Sequence, residues 1–480
     1  MRNLNIAHHP RALWFLSVSQ TFYCVSIGAT TSLLILYLIY KVQVPPTRAY
    51  EVFAAMNSLI YVLPLAGGYL GEKLGYILTI IFGFAIVFVG FVLLSIPEVH
   101  LMYIGVACFA AGNALVVPNT NALVGLHYAK DSILRNSGYT LYFLIYNIGF
   151  LISPIIAGYV SLDNYNLAFL VSALSVVMAF LVFIYCIQKI EIHPSLSFSS
   201  RVHYSARKRL LVLGVFSFLA IFGTLFLLQQ ENFNDKFLSV LAFLVAGGLI
   251  LSTRKQNRSG RLKIFSFLIL CILSIAFWAL YMLVPSFLTI FIAENINRNI
   301  FGFVLPPSCY YALDAFFVIL LGFFFSWFWH YCAERKKDIS LPAKFASSLL
   351  AIGLAYLILV IGITFANHNT HLVSSLWIVL AYILIAIGEL LISPIALAMV
   401  GVLMPKGQEG LGMGIWQAFI GFSAIISGFL ANLVNTPRQG DPILTNPLYL
   451  DAFLKMGLVT LAIGIIILLL VPKIKKTLQL

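Results

Sequence analysis

The chain holds 480 residues, of which 61% are hydrophobic, 14% aromatic and only 9% charged. Soluble globular domains carry about 25% charged residues, so this composition excludes a water-soluble enzyme or binding module and demands a lipid bilayer as solvent. The net charge of +13 lies mostly in the loops between apolar segments, where it orients a membrane protein and meets anionic headgroups; it does not point to nucleic acid.

A bilayer-crossing helix needs about 20 mainly apolar residues. Windows of that length predict about fourteen spans, near residues 13–40, 51–70, 76–96, 101–124, 139–160, 166–187, 209–228, 237–253, 263–293, 308–332, 343–366, 374–403, 409–434 and 448–472. Residues 1–11 are short and basic, and the apolar stretch after them is too long for a signal-peptide core, so the first helix is expected to stay. With both termini cytoplasmic, every basic residue except Lys41, Arg48, Lys236, Arg298, Arg438 and Lys455 falls on the cytoplasmic side, the bias expected of a multi-pass protein of a bacterial-type inner membrane. Cys24, Cys108, Cys186, Cys271, Cys309 and Cys332 lie within spans or at their ends without paired spacing, which predicts free thiols and neither a disulfide framework nor a zinc site.

The most polar stretches, 193–209 and 254–263, divide the array into six spans, two spans and six spans. The expected organisation is an N-terminal six-helix bundle at 1–192, an inserted helix pair with basic linkers at 193–262, and a C-terminal six-helix bundle at 263–480. Two six-span halves imply an all-α integral membrane protein of major facilitator fold, with substrate held near the midplane. The segment after the second span, Gly68-Tyr69-Leu70-Gly71-Glu72-Lys73-Leu74-Gly75, follows that superfamily's G-x-L-x-D-x-x-G pattern, in which glycines permit a tight turn and the acid can cap a helix N-terminus. Pro64, Pro118, Pro154, Pro285 and Pro394 interrupt apolar segments, which suits either helix packing or gating.

Of 16 acidic residues, only Asp314 and Glu389 lie deep within apolar segments. A buried carboxylate costs roughly 3 kcal/mol on insertion scales and usually faces a polar cavity, so these two acids are the first candidates for a functional site. In a low-dielectric cavity, a fixed negative charge gains strongly from a cationic partner. Ser393, one helical turn beyond Glu389, can add a hydrogen bond.

Several stretches resemble the proton-dependent oligopeptide transporter family, the peptide transporters of the major facilitator superfamily. They are Gly388-Glu389 through Ser393-Pro394, Met413-Gly414-Ile415-Trp416, Tyr61 with Gly67-Gly68, Gly112-Asn113 through Pro118-Asn119, Tyr142 through Asn147 and Gly149, and Trp278 through Tyr281 with Pro285. The resemblance spans nearly the whole chain and extends to the inserted helix pair. It implies that Glu389 receives a substrate ammonium, that Tyr61, Trp278, Tyr281 and Trp416 are cavity aromatics, and that Asn147 contacts a peptide backbone.

The departures are as informative. The family's first-helix E-x-x-E-R motif aligns with Ser19-Gln20-Thr21-Phe22-Tyr23, its fourth-helix lysine with Val117, a seventh-helix glutamate with Met282 and an eighth-helix asparagine with Asp314. The chain is thus a divergent member by resemblance, and its N-terminal half lacks the ionic groups used for proton coupling and for gripping a peptide carboxylate. Two acids on facing helices disfavour simultaneous ionisation and can share one proton, which makes Asp314 and Glu389 the proton-coupling candidates.

No G-x-S-x-G, HExxH or Walker A pattern is present, so the expectation is a transporter and not an enzyme. It is a secondary active transporter moving small peptides or peptide-like metabolites by alternating access, a monomer without cofactors, energised by the proton gradient. The competing readings are a carrier of a non-peptide amine-bearing or siderophore-like compound, in either direction, and a non-transporting membrane receptor.

Overall fold

The computed structural model describes residues 9–128, 133–189, 205–230, 258–335, 339–404, 409–434 and 440–478, with isolated positions between 236 and 247. Its helices are α1 (Arg11–Leu36), α2 (Pro46–Leu74), α3 (Tyr76–Leu94), α4 (Val99–Leu126), α5 (Ile133–Asp163), α6 (Tyr165–Lys189) and α7 (Ala206–Gln229). After the second polar loop come α8 (Arg258–Tyr281), α9 (Thr289–Asn295), α10 (Ala312–Glu334), α11 (Leu341–Thr364), α12 (Ser375–Leu403), α13 (Glu409–Asn432) and α14 (Pro442–Leu478). Helices prevail because hydrocarbon offers backbone N–H and C=O groups no partner outside the segment itself. Among the described residues, 13 helices are long and apolar enough to cross a membrane, with α8 and α9 joined in one span, Gly260–Asn295. The span expected at 237–253 lies largely outside the described residues.

Among the described residues, strand is confined to loops. Ile296–Asn297 pairs in parallel with Val373–Ser374, and Asn299–Ile300 pairs antiparallel with Phe303–Val304. The second pairing is a tight hairpin that turns at Phe301 and Gly302, both at positive φ.

The chain forms two compact units, residues 1–34 with 59–231, and residues 35–58 with 232–480. In the first, α3 packs on α4 and α6, and α4 also on α7. The α3–α4 contact is a backbone approach. A Cβ on Gly83 would lie 3.0 Å from the Gly112 carbonyl, and one on Gly90 would lie 2.9 Å from the Gly105 carbonyl. Seven residues separate the glycines on each helix, so one face of each antiparallel partner is bare at two levels. A second approach joins α2 to α4: Asn119 Nδ2 donates to the Gly67 carbonyl at 3.0 Å, and a Gly67 Cβ would fall 1.8 Å from the Ala114 oxygen.

The predicted loop motif is mostly helical. Gly68, Gly71, Glu72 and Lys73 belong to the last turns of α2, and Gly75 alone makes the turn, with φ 101 as the N-cap of α3. Glu72 is exposed near a helix C-terminus and does not cap a helix start. Lys73 instead stands over the Tyr69 ring, 5.6 Å from its centroid.

In the second unit, α11 packs on α14 and α12, α10 packs on α12, and α8 touches α11, α12, α13 and α14. α8 is therefore the central element of this unit. Tyr50 and Ala54, on the first turns of α2, join it against Phe287 and Gly428.

A methyl group at the tightest of these approaches has nowhere to go. Gly67→Ala is expected to cost about 1–3 kcal/mol by overpacking and to lower the melting temperature of detergent-solubilised protein by about 3 °C or more. Gly214→Ala on α7, where an added Cβ meets nothing within 4 Å, is the control and should leave that temperature unchanged.

Candidate functional site

The site grows from a break in α8. Pro285 has no N–H, and its ring collides with the carbonyl four residues earlier, which belongs to Tyr281. The α-helix accordingly ends at Tyr281 and resumes through a wider turn, Val284–Leu288, in which the Leu288 N–H donates to the Leu283 carbonyl at 2.9 Å. Tyr356 of α11 donates its hydroxyl to the Leu280 carbonyl at 2.8 Å, satisfying one acceptor at the broken end. The Tyr281 ring is held by Trp278, edge-on at 5.3 Å, and by Phe277, stacked at 6.0 Å.

Two further helices bring acids to this end. Asp314 lies in the first turn of α10, where the helix dipole favours a negative charge. α12 carries Tyr382, Glu389 and Ser393 at spacings of seven and four, which place all three on one helix face. Gly388 lets α12 approach α8, since a Cβ there would sit 2.7 Å from Phe277 Cε2.

The Tyr281 hydroxyl lies 2.6 Å from Asp314 Oδ2 and 3.1 Å from Glu389 Oε2. Asp314 is 7% exposed, whereas Glu389 and Tyr281 keep accessible surface. Asp314 Oδ1, the Tyr382 hydroxyl, Trp278 Nε1 and Ser393 Oγ have no hydrogen-bond partner, and Tyr382 lies within charge-interaction range of Asp314. Buried polar atoms are ordinarily paired, so a cluster of unpaired ones marks a place for a ligand, a water or a proton.

Sequence reasoning named Tyr281, Trp278, Asp314, Glu389 and Ser393, and the first four meet here. It missed Tyr382, whose signal was its place two helical turns before Glu389. Trp416 is 3% exposed and packs edge-on against Phe345 at 6.1 Å, a core role. In the first unit, Asn147 donates its amide to the Phe143 carbonyl at 2.8 Å, and Tyr61 is half-buried on α2. Among the described residues, no cluster of three or more His, Cys, Asp or Glu is placed to hold a metal ion.

The altered first-helix motif is neutral and internally satisfied. Tyr23 donates to Asn113 Oδ1 at 3.0 Å, and Ser19 donates to the Ala179 carbonyl at 2.7 Å. Where the resemblance expects glutamates, an arginine and a lysine, α1 and α4 are tied by one phenol–amide bond.

Comparison with known proteins agrees with the fold and the family resemblance. The chain is 29% identical to dipeptide and tripeptide permease B of Aliivibrio fischeri (strain MJ11) over 452 residues, 92% of this chain and 90% of that protein. It is 27% identical to dipeptide and tripeptide permease A of Escherichia coli (strain K12) over 487 residues, 99% of this chain and 95% of that one. Its fold is similar to that of tetrameric PepTSo2, with TM-score 0.84 and 22% identity over 97% of this chain and 98% of that chain. It is also similar to a mutant of peptide transporter POT in complex with alafosfalin, with TM-score 0.83 and 20% identity over 98% and 96%. The family model described as the POT family matches residues 77–444, a stretch that carries Asn147, Tyr281, Asp314 and Glu389 together. This multi-pass membrane protein of major facilitator fold belongs to the POT family.

Proposed function

We propose that this protein is a secondary transporter of small peptides or peptide-like molecules in a bacterial inner membrane, with both termini cytoplasmic, driven by the proton gradient. The observation that carries this reading is the meeting of Glu389 and Asp314 on the Tyr281 hydroxyl. An accessible carboxylate in a low-dielectric site binds an ammonium strongly, and every peptide with a free N-terminus presents one. Ser393, with its hydroxyl unpaired, adds a hydrogen bond beside Glu389, and Trp278 and Tyr281 supply aromatic walls. Asn147 keeps its proposed role in contacting the peptide backbone and Tyr61 its role as a cavity aromatic, while Trp416 packs against Phe345.

Asp314 carries the proton in place of the missing first-helix acids. Relatives named as dipeptide and tripeptide permeases support the peptide as cargo. The chain performs no covalent chemistry on that cargo, needs no cofactor and works as a monomer. The division into 1–192, 193–262 and 263–480 describes its topological halves and the inserted pair.

Reconstituted vesicles with an imposed pH gradient, loaded with labelled dialanine or its carboxamide, test the reading. Glu389→Gln removes the charge that meets the ammonium and should weaken binding by roughly 10- to 100-fold; gradient-driven uptake equal to wild type would refute the site. Tyr23→Phe leaves the Asn113 oxygen unpaired and should cost about 1–3 kcal/mol of stability. Its response to the pH gradient should match wild type, because no carboxylate or basic group is lost; a variant stable but uncoupled would return proton coupling to the first helix.

A further inference from the structure

Tyr281 has one hydroxyl hydrogen, yet two acids lie within hydrogen-bond reach of its oxygen. If both were carboxylates, one contact would set lone pair against lone pair, so at least one acid must supply a hydrogen. The two distances are unequal. The 2.6 Å contact to Asp314 Oδ2 has the length of a hydroxyl donating to a charged oxygen, and the 3.1 Å contact to Glu389 Oε2 is the longer and weaker of the two. An Asp314 carboxylate accepting from Tyr281, with a protonated Glu389 donating to the Tyr281 oxygen, satisfies both contacts with the hydrogens available. The other titratable groups facing this set are Tyr311, beside Tyr281, and Tyr382, beside Asp314 with Tyr356 behind it.

Resting on the peptide-transport reading above, we propose that Tyr281 is a proton relay between the two acids, triggered by the substrate amine. A peptide ammonium docking at the accessible Glu389 requires that acid as a carboxylate. Its proton passes from Oε2 to the Tyr281 oxygen while the Tyr281 hydroxyl proton passes to Asp314 Oδ2. The Glu389 O–H bond breaks, the Tyr281 O–H bond is exchanged and an Asp314 O–H bond forms. Tyrosine ends as it began, a neutral phenol. The proton thus stays in the protein when the amine arrives, and both are carried together. Without the relay, the amine would expel the proton and the substrate would travel alone. Asp314, buried behind Tyr281, is the store, and its unpaired Oδ1 leaves room for the acid form.

The test is the ratio of protons to peptide in vesicles, read by a trapped pH dye alongside labelled dialanine or its carboxamide, with peptide counterflow measured separately. A merely structural defect lowers both fluxes and leaves the ratio intact. In Tyr281→Phe and in Asp314→Asn, the ratio should collapse toward zero while counterflow remains measurable, and Asp314→Glu should restore part of it. A wild-type ratio in either Tyr281→Phe or Asp314→Asn overturns the relay while leaving peptide transport standing. Should Tyr281→Phe lose counterflow as well, Asp314→Asn decides by the same ratio. Absence of peptide flux in wild type overturns the transport reading, and the relay with it.

Discussion

A carboxylate inside an apolar helix bundle needs a proton or a cation as its companion, and a second carboxylate on the same phenol makes that need absolute. The surrounding architecture holds this constraint in place. Pro285 ends α8 at the residue whose hydroxyl joins the acids. Tyr356 ties down the broken end, and Phe277 and Trp278 fix the ring. Gly388 brings the glutamate-bearing helix close enough to meet it. Loosening any of these supports changes a distance of about 3 Å, on which the hydrogen-bonding logic rests.

The first unit is built on the opposite principle. Its helices meet backbone against backbone, at Gly67 with Ala114, at Gly83 with Gly112 and at Gly90 with Gly105. Its long-range side-chain links at the altered motif are neutral, among them Tyr23 to Asn113 and Ser19 to the Ala179 carbonyl. Neither kind of contact responds to pH or to a charged ligand. The two acids Asp314 and Glu389 meet on α8, α10 and α12, while α1 and α4 are joined by contacts between neutral groups.

Much of this was legible in the sequence. Composition alone fixes the solvent, and length against apolarity gives the spans, because hydrocarbon thickness and helical rise leave little freedom. Asp314 and Glu389 stood out because charge in an apolar run is costly whatever the fold. What the sequence did not disclose is distance. Residues 281, 314 and 389 are far apart along the chain, and nothing local says that one hydroxyl reaches both acids. The aromatics show the same limit in reverse: Trp416 and Trp278 sit in motifs of similar quality and are both buried, yet one packs against Phe345 and the other against Tyr281, with its indole nitrogen unpaired. Gly68 and Gly71 read as turn formers but serve helix contact, because glycine answers both demands and only the neighbouring helix decides which.

Electrostatic balance gives the acid pair its sense as a carrier site. With one shared proton, the empty pair has one negative charge; with an ammonium on Glu389 and the proton on Asp314, the same volume is neutral. Closing a low-dielectric compartment over a net charge is far costlier than closing it over a neutral set, so the loaded site is the one that favours occlusion.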